Sequence, residues 1–375
     1  MKIGIDARFW NETGVGRYIR NLVEELSEID STNSYVLFMK SNDAKAFKPK
    51  NDRWNVVATD IHWHSLSEQI YFSHILNEQN LDLMHFPYFS IPIRYSRPYI
   101  VTIHDLILHH FATGEATTLP FGLYKLKLAG YKYIIGRAAR SAKKIIAVSY
   151  ATHDEIIDHL HVDPAKVCVI YEGVDSLLSI PSKSELNVES KLLTVENTKY
   201  FLHVGNVYPH KNSKRLIEAF VKSGLEGYSL LFVGKKDYFM KELEKLCIEL
   251  GFEKQIKFLG FVSDTELASL YQNATATVVP SLMEGFGLPV IEAMANNSLV
   301  LASDIPSLKE IGGDSAIYVN PFDVDDISAK IRNIAEGDQA QFMSFKKRGL
   351  MLVKDFSWQK MAKETLAVYE SCISI

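Results

Sequence analysis

The sequence is poor in cysteine. Cys168, Cys247 and Cys372 are all it has, and they stand far apart. Thiols so few and so scattered fit neither a disulfide framework nor a metal site, and they point to a reducing compartment. Charge of one sign is lacking too: 41 Lys and Arg face 45 Asp and Glu, a formal net charge of -4. That balance argues against a dedicated nucleic-acid binder. No apolar run approaches the roughly 18 residues of a membrane span. The opening Met-Lys-Ile-Gly-Ile-Asp runs straight into a strand pattern with no secretory apolar region. Short-period repeats and low-complexity segments are missing. Gly14-Val15-Gly16 lacks the third glycine of a dinucleotide fingerprint, which disfavours a dehydrogenase.

What is present is a chain of 375 residues, 47% of them hydrophobic, enough for two domains with sizeable cores. Strand patterns at 2–6, 35–39, 83–86, 99–103, 145–148 and 166–171 alternate with helical ones. The first half therefore reads as α/β with a parallel sheet. A polar segment rich in Ser, Lys, Glu and Asn follows and reads as a linker. Further strands are expected at 200–204, 230–233, 256–259 and 299–302. The expected division is an N-terminal domain at 1–175, a linker at 176–199, a second domain at 200–355 and a terminal helix at 356–375.

The most informative stretch is Ser281-Leu-Met-Glu-Gly-Phe-Gly-Leu-Pro-Val-Ile-Glu292. An apolar run ending in Pro280 reads as a buried strand, and Pro289 suits a first helical turn. Between them, the amides of Gly285, Phe286, Gly287 and Leu288 at a helix start suit an anion. Glu284 and Glu292 bracket the turn. Amides for an anion beside carboxylates for hydroxyls would suit a sugar attached to a phosphate. On spacing alone, a capping Glu292 and an exposed, solvated Glu284 explain the pattern as well.

Other candidates carry a plain reading beside the functional one. The loop Gly14-Val15-Gly16-Arg17 lies at the end of the first strand, where parallel sheets bind ligands, but a tight turn explains its glycines. His104-Asp105 ends the strand 99–103 at the same edge, where a structural histidine bonded to backbone is the alternative. The loop Gly205 to Asn212 offers Lys211 to a phosphate, or holds a surface lysine. Residues 120–144 carry Lys125, Lys127, Lys132, Arg137, Arg140, Lys143 and Lys144, no acidic residue, and interleaved Phe, Tyr, Leu and Ile. Such a helix can lie on an anionic membrane or simply bury its apolar face. Asp323-Val-Asp325-Asp326 could hold a metal, but helix capping is the expectation.

Glu-Gly-Phe-Gly-Leu-Pro-x-x-Glu-Ala-Met-Ala, from Glu284, resembles the glutamate-x7-glutamate motif of retaining, GT-B-fold glycosyltransferases of family 4, which use nucleotide sugars. The likeness covers nearly the whole chain. It implies two Rossmann-like domains with parallel sheets facing across a cleft that closes on the donor, a nucleotide-diphosphate sugar. By the same resemblance, Lys211 and the Gly285–Gly287 amides meet the diphosphate, with Gly205 in the same phosphate loop. Glu284 holds sugar hydroxyls and Glu292 the ribose. The backbone near Val262 meets the base, Gly14 and Gly16 border the phosphates and acceptor, and His104 contacts the donor sugar. His210 stands where the family usually has arginine, so a second cation there requires its protonation.

The implied catalytic residues are His104, Glu284 and Lys211, with no metal and no cofactor. The opening Gly-Ile-Asp-Ala-Arg and Gly-Val-Gly-Arg-Tyr resemble bacterial mannosyltransferases of surface-polysaccharide assembly. GDP-mannose as donor and a saccharide or lipid-linked acceptor are therefore expected. A UDP-sugar transferase, an epimerase on the same fold and a non-catalytic scaffold are the alternatives. The expected place is the cytoplasm, with residues 120–144 as a peripheral contact to the anionic inner face of the membrane.

Overall fold

The computed structural model describes residues 1–112, 114, 120–174 and 198–372. Of the expected linker 176–199, only 198 and 199 fall among them, and Lys199 already opens a strand. The chain divides into two compact units, Met1–Gly173 with Ser357–Ile375, and Val174–Phe356.

The first unit is built on a seven-stranded sheet: β1 (Lys2–Asp6), β2 (Ser34–Met39), β3 (Trp54–Ala58), β4 (Leu83–Phe86), β5 (Tyr99–Ile103), β6 (Lys144–Ala147) and β7 (Val167–Val169). Their order is β3-β2-β1-β4-β5-β6-β7, and every pairing is parallel. The central strands are largely apolar because helices cover both faces, with Asp6, His85 and Thr102 as buried polar exceptions. Ile3, Ile5, Met84, Val101, Ile103 and Ile145 are fully buried. Sequence reasoning overlooked β3, an edge strand whose Trp54 is buried while Asn55 and Ala58 are exposed.

The second unit holds β8 (Lys199–Val204), β9 (Tyr228–Val233), β10 (Ile256–Gly260), β11 (Ala276–Val279), β12 (Val300–Ser303) and β13 (Ile317–Val319). They are again all parallel, in the order β10-β9-β8-β11-β12-β13. Its core joins Phe201, Leu230, Val278 and Leu301 to Leu216, Ile217 and Phe220 of the helix Ser213–Ser223. The three-residue β13 also escaped the sequence pattern, being too short to show a period.

In each sheet the strand order reverses beside the first strand, between β1 and β4 and between β8 and β11. Ligands of open parallel sheets bind outside the carboxyl ends at such points.

Several local expectations need correction. Gly14 and Gly16 are not loop residues: they lie in the first turn of the helix Gly14–Ile29. A Cβ on Gly16 would stand 2.7 Å from the carbonyl oxygens of Phe9 and Trp10, so this glycine serves close packing of the preceding turn. The basic helix ends at Ser141, and Lys144 begins β6. Asp323 does cap the helix Val324–Glu336, its carboxylate accepting from the amides of Asp325 and Asp326.

The C-terminal helix Trp358–Ser371 belongs to the first unit, packed on Gly14–Ile29. It buries Met361, Ala362, Thr365, Val368 and Tyr369. Its anchor is polar: His85 of β4 bonds the Tyr369 hydroxyl through Nδ1 (2.7 Å) and Thr102 Oγ1 through Nε2 (2.8 Å). Burial pushes the His85 imidazole down to about 3, so the ring is neutral and gives one proton while accepting another.

Candidate active site

In the second unit the site grows from two loops at the reversal point. Beyond β8, Gly205 takes φ 133°, a backbone state that glycine adopts without strain. The short turn Pro209–Lys211 follows, and Asn212 enters the next helix with φ 61°. The Asn212 side-chain amide donates to the carbonyls of Pro280 (2.9 Å) and Pro321 (2.7 Å). The Leu282 amide donates to the His210 carbonyl at 2.7 Å. These bonds fasten the Lys211 turn to the loop after β11.

That loop carries the candidate carboxylate. Lys211 Nζ reaches both oxygens of Glu284, at 2.7 and 2.8 Å, and Ser281 Oγ donates to Oε1 at 2.7 Å. Glu284 is not the exposed residue expected from sequence: its side chain is 8% accessible. Burial alone would raise its pKa, but the Lys211 charge and hydrogen bond, with Ser281, hold it below the ordinary carboxylate range. The pair is therefore ionised and preorganised.

Gly287 starts the helix Leu288–Ala295 at φ 106°, and no side chain caps this end. A Cβ there would come within 2.5 Å of Leu308 Cδ2. Pro289 occupies the first turn, as expected. Glu292 follows in the next turn of that helix, buried, with Tyr271 donating to Oε2 at 2.9 Å. His210 cannot replace an arginine as a charge near pH 7. Burial and the Lys211 ammonium push its pKa down to about 4, so it is a neutral ring. At the end of β10, Val262 is buried and Ser263 caps the following helix in a capping box with Glu266.

In the first unit His104 follows β5. Its Nδ1 lies 2.9 Å from Glu172 Oε1 and its Nε2 3.0 Å from the Pro87 carbonyl. Tyr18 meets the ring edge-on at 5.0 Å between centroids. A carbonyl and a carboxylate can only accept, so both ring nitrogens donate and the imidazole carries the positive charge. Burial pulls its pKa down, yet the hydrogen bond and charge of Glu172, then the Pro87 carbonyl and Asp105, leave it raised. Asp105 Oδ1 accepts from the Ile107 amide at 2.9 Å. His109 Nδ1 meets the Tyr131 hydroxyl at 2.9 Å.

Two family models match the chain: glycosyltransferase family 4 over residues 13–176 and glycosyl transferases group 1 over residues 184–349. The O-antigen chain mannosyltransferase RfbU of Salmonella typhimurium is 31% identical over 300 residues, 79% of this chain and 74% of that one. The chain belongs to the group 1 glycosyltransferases. O-antigen chain mannosyltransferase B of Escherichia coli is also 31% identical, over 77% of this chain and 74% of its own length. The fold is GT-B. Anabaena Alr3699/HepE, solved in complex with UDP-glucose, superposes with a TM-score of 0.77 over 99% of this chain and all of that one, at 18% identity.

In this glycosyltransferase, Lys211, Glu284 and the Gly285–Gly287 turn gather at one sheet edge, while His104 stands at the equivalent edge of the other sheet. Four polar partners escaped sequence reasoning: Ser281 and Asn212 around the ion pair, Tyr271 on Glu292, and Glu172 on His104. Ser281 stands three residues before Glu284 and could have been found as its neighbour. Glu172 lies 68 positions from His104, and no local spacing announces it.

Proposed function

We propose that this glycosyltransferase moves mannose, with retention, from GDP-mannose to a saccharide or lipid-linked saccharide in surface-polysaccharide assembly. The observation that carries the reading is the partly buried Lys211–Glu284 pair at the carboxyl end of β8 and β11. A cation and a carboxylate held 2.7 Å apart suit a ligand whose phosphate and hydroxyls are equally close neighbours, as in a sugar 1-diphosphate. The curated mannosyltransferase relatives support the choice of sugar.

On this reading Lys211 and the amides of the Gly285–Gly287 turn neutralise charge that builds on the leaving diphosphate, commonly the largest catalytic term. Glu284 orients sugar hydroxyls, Glu292 takes the ribose, and the backbone at Val262 borders the base. The bond from the anomeric carbon to the diphosphate breaks and the bond to the acceptor oxygen forms on the same face. The acceptor proton passes to an oxygen of the departing phosphate. No step runs through a metal or cofactor. The exposed first half of the helix Phe121–Ser141, with Leu123, Leu126, Lys125 and Lys127 at the surface, supports a peripheral membrane contact that brings the enzyme to a lipid-linked acceptor.

A thermal-shift and calorimetric screen against GDP, UDP, dTDP and ADP, each with its sugar conjugate, tests the donor. GDP and GDP-mannose should stabilise most, and Lys211→Ala should weaken that binding by about 1.5–3 kcal/mol, as expected for a hydrogen bond to a charged group. A clear preference for UDP conjugates moves the reading to a UDP-sugar transferase, the donor class bound in the Anabaena structure, or to an epimerase, which needs no acceptor. Binding that survives Lys211→Ala unchanged removes the phosphate role.

A further inference from the structure

Away from the Lys211–Glu284 loops, the first unit gathers three side chains with the donor set of a transition metal. Glu155 and His159 stand four apart on the helix Tyr150–Leu160, hence on one face. His110 ends the short turn Ile107–His110, just past His104. Glu155 Oε2 is the hub: His110 Nε2 lies 2.5 Å from it and His159 Nε2 3.3 Å. One ligand atom from each residue falls within 4.8 Å of the others. The two imidazoles stand nearly perpendicular, 85° apart with centroids at 4.9 Å.

We propose that His110, Glu155 and His159 bind a divalent ion of the zinc class. Ligands bonded to zinc at about 2.0–2.2 Å in a tetrahedron stand roughly 3.3 Å from one another. The observed triangle needs only small rotations of exposed side chains to reach that spacing. Two imidazole nitrogens with one carboxylate oxygen favour Zn²⁺, Co²⁺, Ni²⁺ or Cu²⁺. Mg²⁺ and Ca²⁺ prefer oxygen shells. All three side chains are about one-third accessible, so water can fill the remaining position. The ion would staple the turn that follows β5 to the helix Tyr150–Leu160. Its role is to steady the segment leading from His104, not to take part in the transfer, so the site stands or falls independently of the donor reading.

The plain competitor is a pair of histidine–glutamate ion pairs with no metal. Isothermal calorimetry on the tag-free, chelator-treated full chain separates them, with ZnCl₂, CoCl₂ and MgCl₂ as titrants. The expected result is saturable, near-equimolar binding of Zn²⁺ and Co²⁺, no response to Mg²⁺, and a melting temperature raised by about 3 °C in Zn²⁺. His110→Gln and His159→Gln should each weaken Zn²⁺ binding at least about tenfold, the cost of losing even an outer-sphere partner at metal sites. They should melt like the parent in chelator, since both residues are partly exposed. Absence of saturable Zn²⁺ binding overturns the proposal. So does binding that both variants retain, which would put the ion elsewhere.

Discussion

Glu172 illustrates how one side chain sets the state of another. It holds His104 protonated at a place where burial alone would favour the neutral ring. A histidine whose pKa is raised in the folded state contributes stability that is whole below its unfolded value, about 6.5. That contribution is lost as pH rises through the folded value. Melting temperature followed from pH 5.5 upward should therefore fall once pH passes 6.5. Glu172→Gln should lower the melting temperature at the acid end and flatten the slope; an unchanged slope would detach the titration from this pair. A parallel case is Arg8, fully buried between Asp6 and Glu68 at 2.6 and 2.7 Å, with its guanidinium 3.7 Å over the Phe72 ring. Its charge is kept despite burial because two carboxylates surround it. Asp6 is a local partner, but Glu68 arrives from 60 residues away, and no spacing announces that second carboxylate.

At the scale of elements, the strand-to-helix loop after β11 is held by backbone geometry as much as by side chains. Gly287→Ala would meet both the Leu308 methyl and an unfavourable positive φ, costing about 1–3 kcal/mol. Leu308 is itself fully buried, so Leu308→Ala alone costs about 2–5 kcal/mol. With the clash relieved, the double variant should lose less than the sum of the two single losses, and strict additivity would remove the steric part. A second element, the helix Phe121–Ser141, buries Ile135, Ala138 and Ala139 but nothing described in its first half. Changing Lys125, Lys127 and Lys132 to Gln together should weaken binding to anionic liposomes on the order of a hundredfold, at about 1 kcal/mol per lysine near the surface. Equal flotation would leave this helix as an ordinary surface helix.

Elements were also where the sequence was most and least readable. Fully buried parallel strands such as 83–86 and 99–103 announce themselves as largely apolar runs, broken only by His85 and Thr102, because both faces are covered. Glu284, Gly287 and Pro289 form a contiguous pattern whose turn chemistry is local. β3 and β13 were silent because an edge strand needs few apolar residues and three residues cannot show a period. The Gly14–Gly16 stretch was misread because it opens a helix, where Gly16 serves close packing against the preceding turn. The burial of Glu284 depends on Lys211, 73 positions away, and no spacing rule carries that distance.

At the scale of the molecule, the chain returns to its first unit after completing the second. Removing 357–375 should uncover the Gly14–Ile29 helix and leave His85 without Tyr369. Hydrogen exchange followed by mass spectrometry should then show lost protection in 2–29 and 83–103, with 199–204 and 228–233 unchanged. Protection kept throughout the first unit would make the helix dispensable. Tyr369→Phe isolates the polar contribution, about 1–3 kcal/mol for a buried partner left unsatisfied.

The tie between His85 and Tyr369 also sets an order of events during synthesis. A ribosome makes all of the second unit before it makes the helix that finishes the first. While the second unit emerges and folds, the first sheet waits with one face of the helix Gly14–Ile29 uncovered and His85 holding only Thr102 of its two partners. The nascent enzyme thus has its Lys211 and Glu284 loops in final form before its first unit is complete, and a chaperone that recognises exposed apolar helices would meet it in that interval.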